Sequence, residues 1–323
     1  AAQCRRVVEE ELRNAGASAK GWRIPPTDDS VCGQLAKDTL PHIEQLFVDA
    51  GDEQNDDAFA LALFLARRRA EQKLRDVTAD FYVVTLSPYA IGYKGMVLPD
   101  KLAVFFPDLQ RSDLSSSAIV FHQRFSTNTL PRWPLAHPFR LLAHNGEINT
   151  IEGNRRWAQA RSKVWKTPRF DIAEFDPVIS MHGSDSQSLD NMLELLIAGG
   201  MDLLQALRIL VPPATQSLEF KDSDLAAFYE FYGLNTEPWD GPAGIVACDG
   251  RYAACMLDRN GLRPAGWMLT SDRHFLVASE AGVWELPAER ITRKGKLGPG
   301  EMMAVDLKRG DLLDSVAIDR IHP

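Results

Sequence analysis

Four residues in the middle of the chain have the types needed for chemistry on an amino acid: Arg124, Asn145, Gly146 and Asp185. An arginine can hold an α-carboxylate through two parallel hydrogen bonds, and an aspartate attracts an α-ammonium group. The Asn145 amide and the Gly146 N–H are donors suited to an oxygen that becomes negative during a reaction. The set therefore predicts acyl transfer on an amino acid side chain.

The Asn145-Gly146 pair also has a purely structural interpretation. Asn-Gly is the strongest two-residue signal for a hairpin turn. The residues that follow, INTIEGNRRWAQARSKV, have helical spacing instead of the alternation of a second strand. Asn149, with Glu152 three residues later, resembles a capping box at the start of that helix. We therefore expect a strand-to-helix junction, with an ordinary tight turn and an anion-stabilising site as the two alternatives.

Arg124 and Asp185 have structural alternatives as well. Residues 118–129, AIVFHQRFSTNT, are predicted to form a strand that carries Arg124 into a hydroxyl-rich loop containing Thr127. A structural salt bridge is the other interpretation of this arginine. Asp185 precedes a helix in HGSDSQSLD, where an acidic residue commonly caps the helix or lies in its first turn.

Composition limits the functional classes. The chain has 323 residues, 45% of them apolar, which is enough to form one large domain or two ordinary ones. No apolar run reaches the roughly 20 residues of a membrane span, and a net charge of −8 argues against a nucleic-acid partner. The four cysteines show neither C-x-x-C nor zinc spacing, so we expect reduced thiols, no metal site and a cytoplasmic location.

The elements that would position these residues indicate an α+β fold. Strands are predicted in both halves of the chain, helices lie between them, and no G-x-G-x-x-G or phosphate-binding loop is present. The predicted helices are CRRVVEEELRNAG, NDDAFALALFLARRRAEQKL, SLDNMLELLIAGG, DLLQALRIL and DLAAFYEFYG, and Asn55 is predicted to cap the second of them. The predicted strands are HIEQLFVDA, the pair FYVVTLS and AIGYKGM, FRLLAH, a hairpin around Asp249-Gly250, HFLVAS and EMMAVDL.

Long strings of the sequence resemble the glutamine amidotransferase domain of the glutamate synthase large-subunit family. These strings are DFYVVTLSPYAIGYKGM, HQRFSTNTLPRWPLAHPFRLLAHNGEINTIEGNRRW, EPWDGPAGIVACDGRYAACMLDRNGLRP and GKLGPGEMMAVDL. The resemblance covers nearly the whole chain and predicts a single amidotransferase domain over residues 1–323. A shorter R-x-x-T…H-N-G…S-D pattern is also similar to class II amidotransferases in general.

The resemblance implies an N-terminal-nucleophile fold, in which two antiparallel sheets lie between helical layers as a four-layer αββα sandwich. It also implies roles for the candidate residues. Arg124 would bind the glutamine carboxylate and Asp185 its amino group, Asn145 and Gly146 would form the oxyanion hole, and Thr127 would line the pocket.

The resemblance is incomplete at the nucleophile. In this family the nucleophile is a cysteine at residue 1 of the mature chain, whose own amine serves as the base. Here residue 1 is Ala1, and Cys32-Gly33 lies in a stretch that resembles an internal family segment. We therefore expect a domain without its first strands, inactive when assayed alone, arising from a shortened chain, a split gene or a degenerate homologue.

The family resemblance also implies partners for the domain. Ammonia released from L-glutamine would pass to a flavin domain for amination of 2-oxoglutarate. FMN and an iron–sulfur cluster are expected in that remainder of the parent enzyme, which would draw electrons from a small reductase subunit or ferredoxin. No cofactor is expected in this chain. The alternatives are a catalytically dead glutamine-binding or scaffolding module, another class II amidotransferase, or a purely structural fragment.

Overall fold

The computed structural model describes residues 1–51, 55–78, 81–126, 129–214 and 223–321. Helices and antiparallel sheets make up its regular structure, so the predicted α+β class is confirmed. The chain divides into two compact units. Unit 1 comprises Ala1–Ile119, Gln123–Arg140 and Ile172–Asp176, and unit 2 comprises Val120–His122, Leu141–Asp171 and Pro177–Pro323.

Unit 1 is organised around two helices packed against each other, α1 (Ala2–Asn14) and α3 (Asp56–Leu74). As predicted, Asn55 caps α3, because its side chain accepts a hydrogen bond of 2.9 Å from the Ala58 N–H. Both helices turn an apolar face inward, and that burial stabilises the pair more than helix propensity alone. The shared core consists of Val8, Leu12, Ala17, Leu63, Ala66 and Ala70.

Two antiparallel strands, β1 (Ser18–Arg23) and β2 (Gln45–Asp49), pack against that core through partly buried apolar residues. Two short helices, α2 (Gln34–Asp38) and α4 (Leu102–Phe105), belong to a second cluster in the same unit. The buried members of this cluster are Cys32, Ala36, Phe105, Phe106 and Trp133.

The predicted strand pair FYVVTLS and AIGYKGM is wrong. Residues 81–96 contain no assigned strand, although the two segments run close together. A Cβ at Gly92 would lie 2.9 Å from Val84 Cγ1. Phe81 packs on the first core and Tyr93 on the second, so apolar burial shapes the two segments without a regular ladder between them.

Unit 2 contains two antiparallel sheets. The strands of the larger sheet are β3 (Leu142–Gly146), β4 (Ala243–Cys248), β5 (Tyr252–Leu257), β9 (Met302–Asp306) and β10 (Asp311–Leu313), and their order is β10-β9-β5-β4-β3. The strands of the smaller sheet are β6 (Gly266–Thr270), β7 (Phe275–Ala278) and β8 (Ile291–Lys296), and their order is β7-β6-β8. The predicted hairpin is confirmed: the Asp249 side chain accepts hydrogen bonds from the Arg251 and Tyr252 N–H groups, and Gly250 has φ +93°.

Alternating side chains of the larger sheet face two different layers. One set, including Cys255, Leu257 and Met303, packs against Trp267 and Phe275 of the smaller sheet. The opposite face meets α6 (Asp185–Ala198) and α7 (Leu203–Leu210), which contact β3 and β5. Unit 2 therefore has successive α, β and β layers, as expected for the predicted sandwich. Three further helices are α5 (Ile151–Arg161), α8 (Ser223–Asn235) and α9 (Ser315–Ile321).

The strand predicted over residues 118–129 is wrong for the part of it that the structure describes. Ile119 is 78% exposed, and no strand is assigned among residues 118–126. A strand needs a hydrogen-bonded neighbour, and here the chain contributes only Val120–His122 to unit 2 before returning to unit 1.

In the described ranges no helix is long and apolar enough to cross a membrane, and no cluster of acidic, His or Cys side chains could hold a metal.

Candidate active site

Asn145 and Gly146 form the last two positions of β3 and do not turn a hairpin. They pair with Gly244 and Ala243 of β4, which follows almost a hundred residues later. The start of the strand is fixed by Asp190 of α6, whose Oδ1 accepts hydrogen bonds from the Leu141 and Leu142 N–H groups at 2.9 and 3.1 Å. The predicted strand-to-helix junction is confirmed, since α5 begins five residues after Gly146.

Gly146 is required by the close approach of another backbone segment. A Cβ at this position would lie 1.8 Å from the Pro242 carbonyl oxygen, and the residue has φ +152°. Across the same contact, a Cβ at Gly241 would lie 2.0 Å from the Glu147 carbonyl oxygen. Two glycines therefore let two loops pack backbone to backbone, and this close packing fixes the orientation of the Gly146 peptide.

The Asn145 side chain is half-buried and makes no hydrogen bond with the residues that the structure describes. The residue directly opposite it in β4 is Gly244. A Cβ there would meet the Arg263 Cβ at 3.4 Å. An amide donor without an internal partner at a strand end can donate to a ligand oxygen.

The predicted capping box is wrong. The N-cap of α5 is Thr150, one residue after Asn149, and it makes no side-chain cap. The Asn149 N–H donates instead to the Asp240 carbonyl at 2.8 Å, and the Thr150 hydroxyl bonds to the Asn154 side chain at 2.7 Å. The contact with residues 240–242 holds this junction in place of a reciprocal cap.

Asp185 is the first residue of α6 and is only 2% exposed. The N-cap is Ser184, so the first-turn interpretation of Asp185 describes its place in the helix. Asp185 Oδ2 accepts a hydrogen bond of 2.8 Å from the Ile148 N–H, two residues after Gly146. The structure thus brings Asp185 beside the Asn145-Gly146 pair, while its predicted role with a ligand ammonium stays a prediction.

Two residues that the sequence reasoning did not single out complete this cluster, His144 and Ser186. Both are buried, and His144 Nδ1 lies 2.9 Å from Ser186 Oγ and 3.9 Å from Asp185 Oδ2. Burial lowers the pKa of His144 well below its usual value, so the ring is neutral at neutral pH. The signal for both was their position, immediately before Asn145-Gly146 and immediately after Asp185.

Arg124 and Thr127 are not brought into this cluster by the described contacts. Arg124 is exposed and belongs to unit 1, whereas Asn145, Gly146 and Asp185 belong to unit 2. Thr127 lies outside the described residues. The predicted binding of a carboxylate by Arg124 and the predicted lining role of Thr127 therefore stay predictions.

All four cysteines are free thiols, but their settings do not suit a nucleophile. Burial raises the pKa of Cys32, which is 8% exposed, and raises the pKa of Cys255 to about 12. Desolvation also raises the pKa of Cys248, and Cys4 lies within α1. A reactive cysteine needs a stabilised thiolate, so Cys32 in the Cys32-Gly33 pair is a packing residue.

Comparison with known proteins supports the resemblance seen in the sequence. The family model described as glutamine amidotransferases class-II matches residues 1–322. A ferredoxin-dependent glutamate synthase of Pyropia yezoensis is 41% identical over 323 residues, covering 97% of this chain and 21% of the relative. The large chain of an NADPH glutamate synthase from Azospirillum brasilense is 40% identical over 312 residues, covering 96% of this chain and 21% of the relative.

A third relative, ferredoxin-dependent glutamate synthase 2 of Synechocystis sp., is 43% identical over 319 residues, covering 97% of this chain and 20% of the relative. The chain thus spans about a fifth of the length of these relatives. Among solved structures, the glutamine PRPP amidotransferase from B. subtilis matches with a TM-score of 0.36 and 18% identity, over 60% of this chain and 33% of that one. A TM-score this low does not by itself show a shared fold. The family model, however, spans both units, and the chain belongs to the class-II glutamine amidotransferases.

Proposed function

We propose that this chain, as part of the full-length protein, binds L-glutamine and takes part in cleaving its side-chain amide, which gives glutamate and ammonia. The observation that carries the proposal is the half-buried Asn145 amide, without an internal partner in the described chain, next to the backbone of Gly146 and the buried Asp185. Because the surrounding backbone is tightly packed, the direction of the amide donor is fixed in advance, and it can stabilise an oxygen that becomes negative. Membership of the class-II amidotransferases supports glutamine as the substrate.

In the proposed reaction of the full-length protein a cysteine thiolate attacks the glutamine amide carbonyl, and the carbonyl oxygen takes the negative charge. Asn145 and the Gly146 N–H donate to that oxygen. The nitrogen then takes up a proton, the C–N bond breaks to release ammonia, and water hydrolyses the remaining thioester to glutamate and the free thiol. Arg124 holds the α-carboxylate, Thr127 lines the pocket, and Asp185 faces the α-ammonium. The thiols of Cys32, Cys248 and Cys255 are poorly suited to the attack because burial raises the pKa of each.

The ammonia is proposed to serve glutamate synthesis in the rest of a larger enzyme. Relatives about 40% identical to this chain are glutamate synthases by name, and these names specify ferredoxin, NADPH or NADH. The proposed partners are therefore further synthase domains holding FMN and an iron–sulfur cluster, with ferredoxin or a reductase subunit supplying electrons. The free thiols fit the cytoplasm as the proposed compartment.

The test is glutamine-dependent ammonia release by the full-length protein that carries this chain. Asn145→Ala should lower kcat by roughly 10²- to 10³-fold with little change in KM, because the lost donor acts mainly in the transition state. Arg124→Lys should raise KM instead, because the two parallel hydrogen bonds to the carboxylate stabilise the bound substrate and the transition state to the same extent. Synthesis driven by added ammonia should survive both changes.

The matched control is Asn149→Ala, which removes the same side chain from an exposed position on the same loop. It should leave kcat and KM unchanged. If Asn145→Ala lowered the free energy of unfolding but left kcat intact, Asn145 would be a structural residue only. Glutamine binding without any ammonia release by the wild type would favour a binding module.

A further inference from the structure

A buried chain of hydrogen bonds connects the two parts of the candidate site. His144 Nδ1 lies 2.9 Å from Ser186 Oγ, and that hydroxyl lies 3.3 Å from Asp185 Oδ1. The other oxygen of Asp185 holds the Ile148 N–H at 2.8 Å. The chain therefore starts one residue before Asn145 and ends two residues after Gly146, so it brackets both proposed donors.

The other edge of the His144 ring lies beside Gly146. Nε2 lies 2.9 Å from the position that a Gly146 Cβ would occupy, where the Pro242 carbonyl oxygen is also packed. That carbonyl accepts the Glu147 N–H at 2.9 Å. The ring thus fills the space between Ser186 and the loop contact that orients Gly146, and its side chain is fully buried.

The groups around the ring keep it neutral. Burial, His122 and Arg263 lower the pKa of His144, and only Asp185 and the Pro242 carbonyl oppose them. The Ser186 hydroxyl donates its one proton to Asp185 Oδ1, so the neutral ring donates from Nδ1 to Ser186 Oγ, and Nε2 has no hydrogen-bond partner among the described residues. A neutral His144 matches this arrangement without placing a buried charge beside the proposed oxyanion.

We propose that His144, oriented by the Ser186 hydroxyl, is a positioning residue that fixes the Asn145 and Gly146 donors, an inference that rests on the proposed function. It touches neither the substrate nor the reacting atoms. Its effect is to hold the peptides on each side of the donors, and donors aimed within a fraction of an ångström give most of the benefit of a pre-oriented site.

The test compares two serine-to-alanine variants in α6 of the full-length protein. Ser186→Ala removes the hydroxyl that bonds His144, while Ser188→Ala removes a hydroxyl, bonded to Arg155 and the Ser180 carbonyl, from the same helix. Both serines are at most 1% exposed, so the two changes should lower stability to a similar extent. Glutamine-dependent kcat and KM, ammonia-driven synthesis and urea unfolding are measured for each.

Ser186→Ala should lower glutamine kcat by roughly 10- to 10²-fold with KM nearly unchanged, because displaced donors weaken transition-state binding. Ser188→Ala should keep the wild-type kcat, and ammonia-driven synthesis should be unchanged in both. Equal kcat in the two variants, or a rise in KM alone for Ser186→Ala, would overturn the positioning role. A wild-type protein that releases no ammonia from glutamine would overturn the proposed function itself, and this inference with it.

Discussion

At the scale of single residues, the Asn145-Gly146 pair is a strand end whose glycine is dictated by packing. The Pro242 carbonyl occupies the space of a Gly146 side chain, and the opposing Gly241 allows the same approach from the other loop. A residue with a structural reason to be glycine can still supply an N–H to a ligand, because the contact that excludes a side chain also fixes the peptide plane. The structural and functional interpretations of Gly146 are therefore compatible.

Gly146→Ala should lower the free energy of unfolding by at least about 3 kcal/mol, because its Cβ would overlap the Pro242 oxygen and its φ is unfavourable for alanine. The matched control is Gly153→Ala in α5, where a Cβ meets nothing within 4 Å. That change should raise stability by up to about 1 kcal/mol, since alanine favours helix. Urea unfolding of the two variants measures both effects, and a Gly146→Ala protein of wild-type stability would contradict the packing argument.

At the scale of elements, the site depends on the contact between β3 and α6. Asp190 bonds the N–H groups at the start of β3, Asp185 bonds the backbone just beyond its end, and Ser186 bonds His144 between them. One turn and a half of helix therefore holds the whole strand by polar contacts. Pairing with β4 fixes the register of β3. The hydrogen bonds from α6 fix the position of β3 relative to the helical layer.

Asp190→Ala should lower the free energy of unfolding by about 2–4 kcal/mol, because two buried N–H groups lose their acceptor. Asp190→Asn keeps an acceptor oxygen in a side chain of the same size, so it should lower the free energy of unfolding clearly less than Asp190→Ala does. Chemical unfolding gives the two free energies, and hydrogen exchange at the Leu142 amide should be faster in the alanine variant. Equal costs for the two variants would show that the N–H groups find another acceptor.

At the scale of the whole molecule, two groups in different units make stability fall with decreasing pH. In unit 1, hydrogen bonds from Arg5 lower the pKa of Glu44 to about 2. In unit 2, burial lowers the pKa of His144 from its ordinary 6.5. For both groups the unfolded chain takes up the proton at a higher pH than the folded chain, so protonation favours unfolding.

The free energy of unfolding should therefore decline in two steps on acidification, first below about pH 6.5 as unfolded His144 binds a proton, then below about 4.5 as unfolded Glu44 does. His144→Gln should flatten the first step and Glu44→Gln the second, whereas His182→Gln at an exposed position should change neither. Urea titrations across pH 3 to 8 measure the slopes. An unchanged slope in His144→Gln would contradict a buried neutral ring.

The family, the α+β class, most helices and strands, and the strand-to-helix junction after Asn145-Gly146 could all be predicted from the amino-acid sequence. Helical periodicity, turn residues such as Asp249-Gly250 and the cap at Asn55 are local signals, and the structure confirms them. The long strings shared with the family required no tertiary information. Local signals gave wrong predictions where a strand would need a neighbouring strand to pair with. Residues 81–96 and 118–126 are examples, because both are predicted as strands but have no assigned strand.

The surroundings of the candidate residues depend on long-range packing and could not be predicted from the sequence. Asn149 does not form the predicted cap, and its backbone N–H donates instead to the carbonyl of Asp240, a residue about ninety positions away. The same kind of long-range contact places Pro242 against Gly146 and Ser186 against His144. Sequence spacing carries no information on such contacts, because they arise when separate segments are packed to exclude water, and buried polar groups must then find partners wherever the packing has brought them.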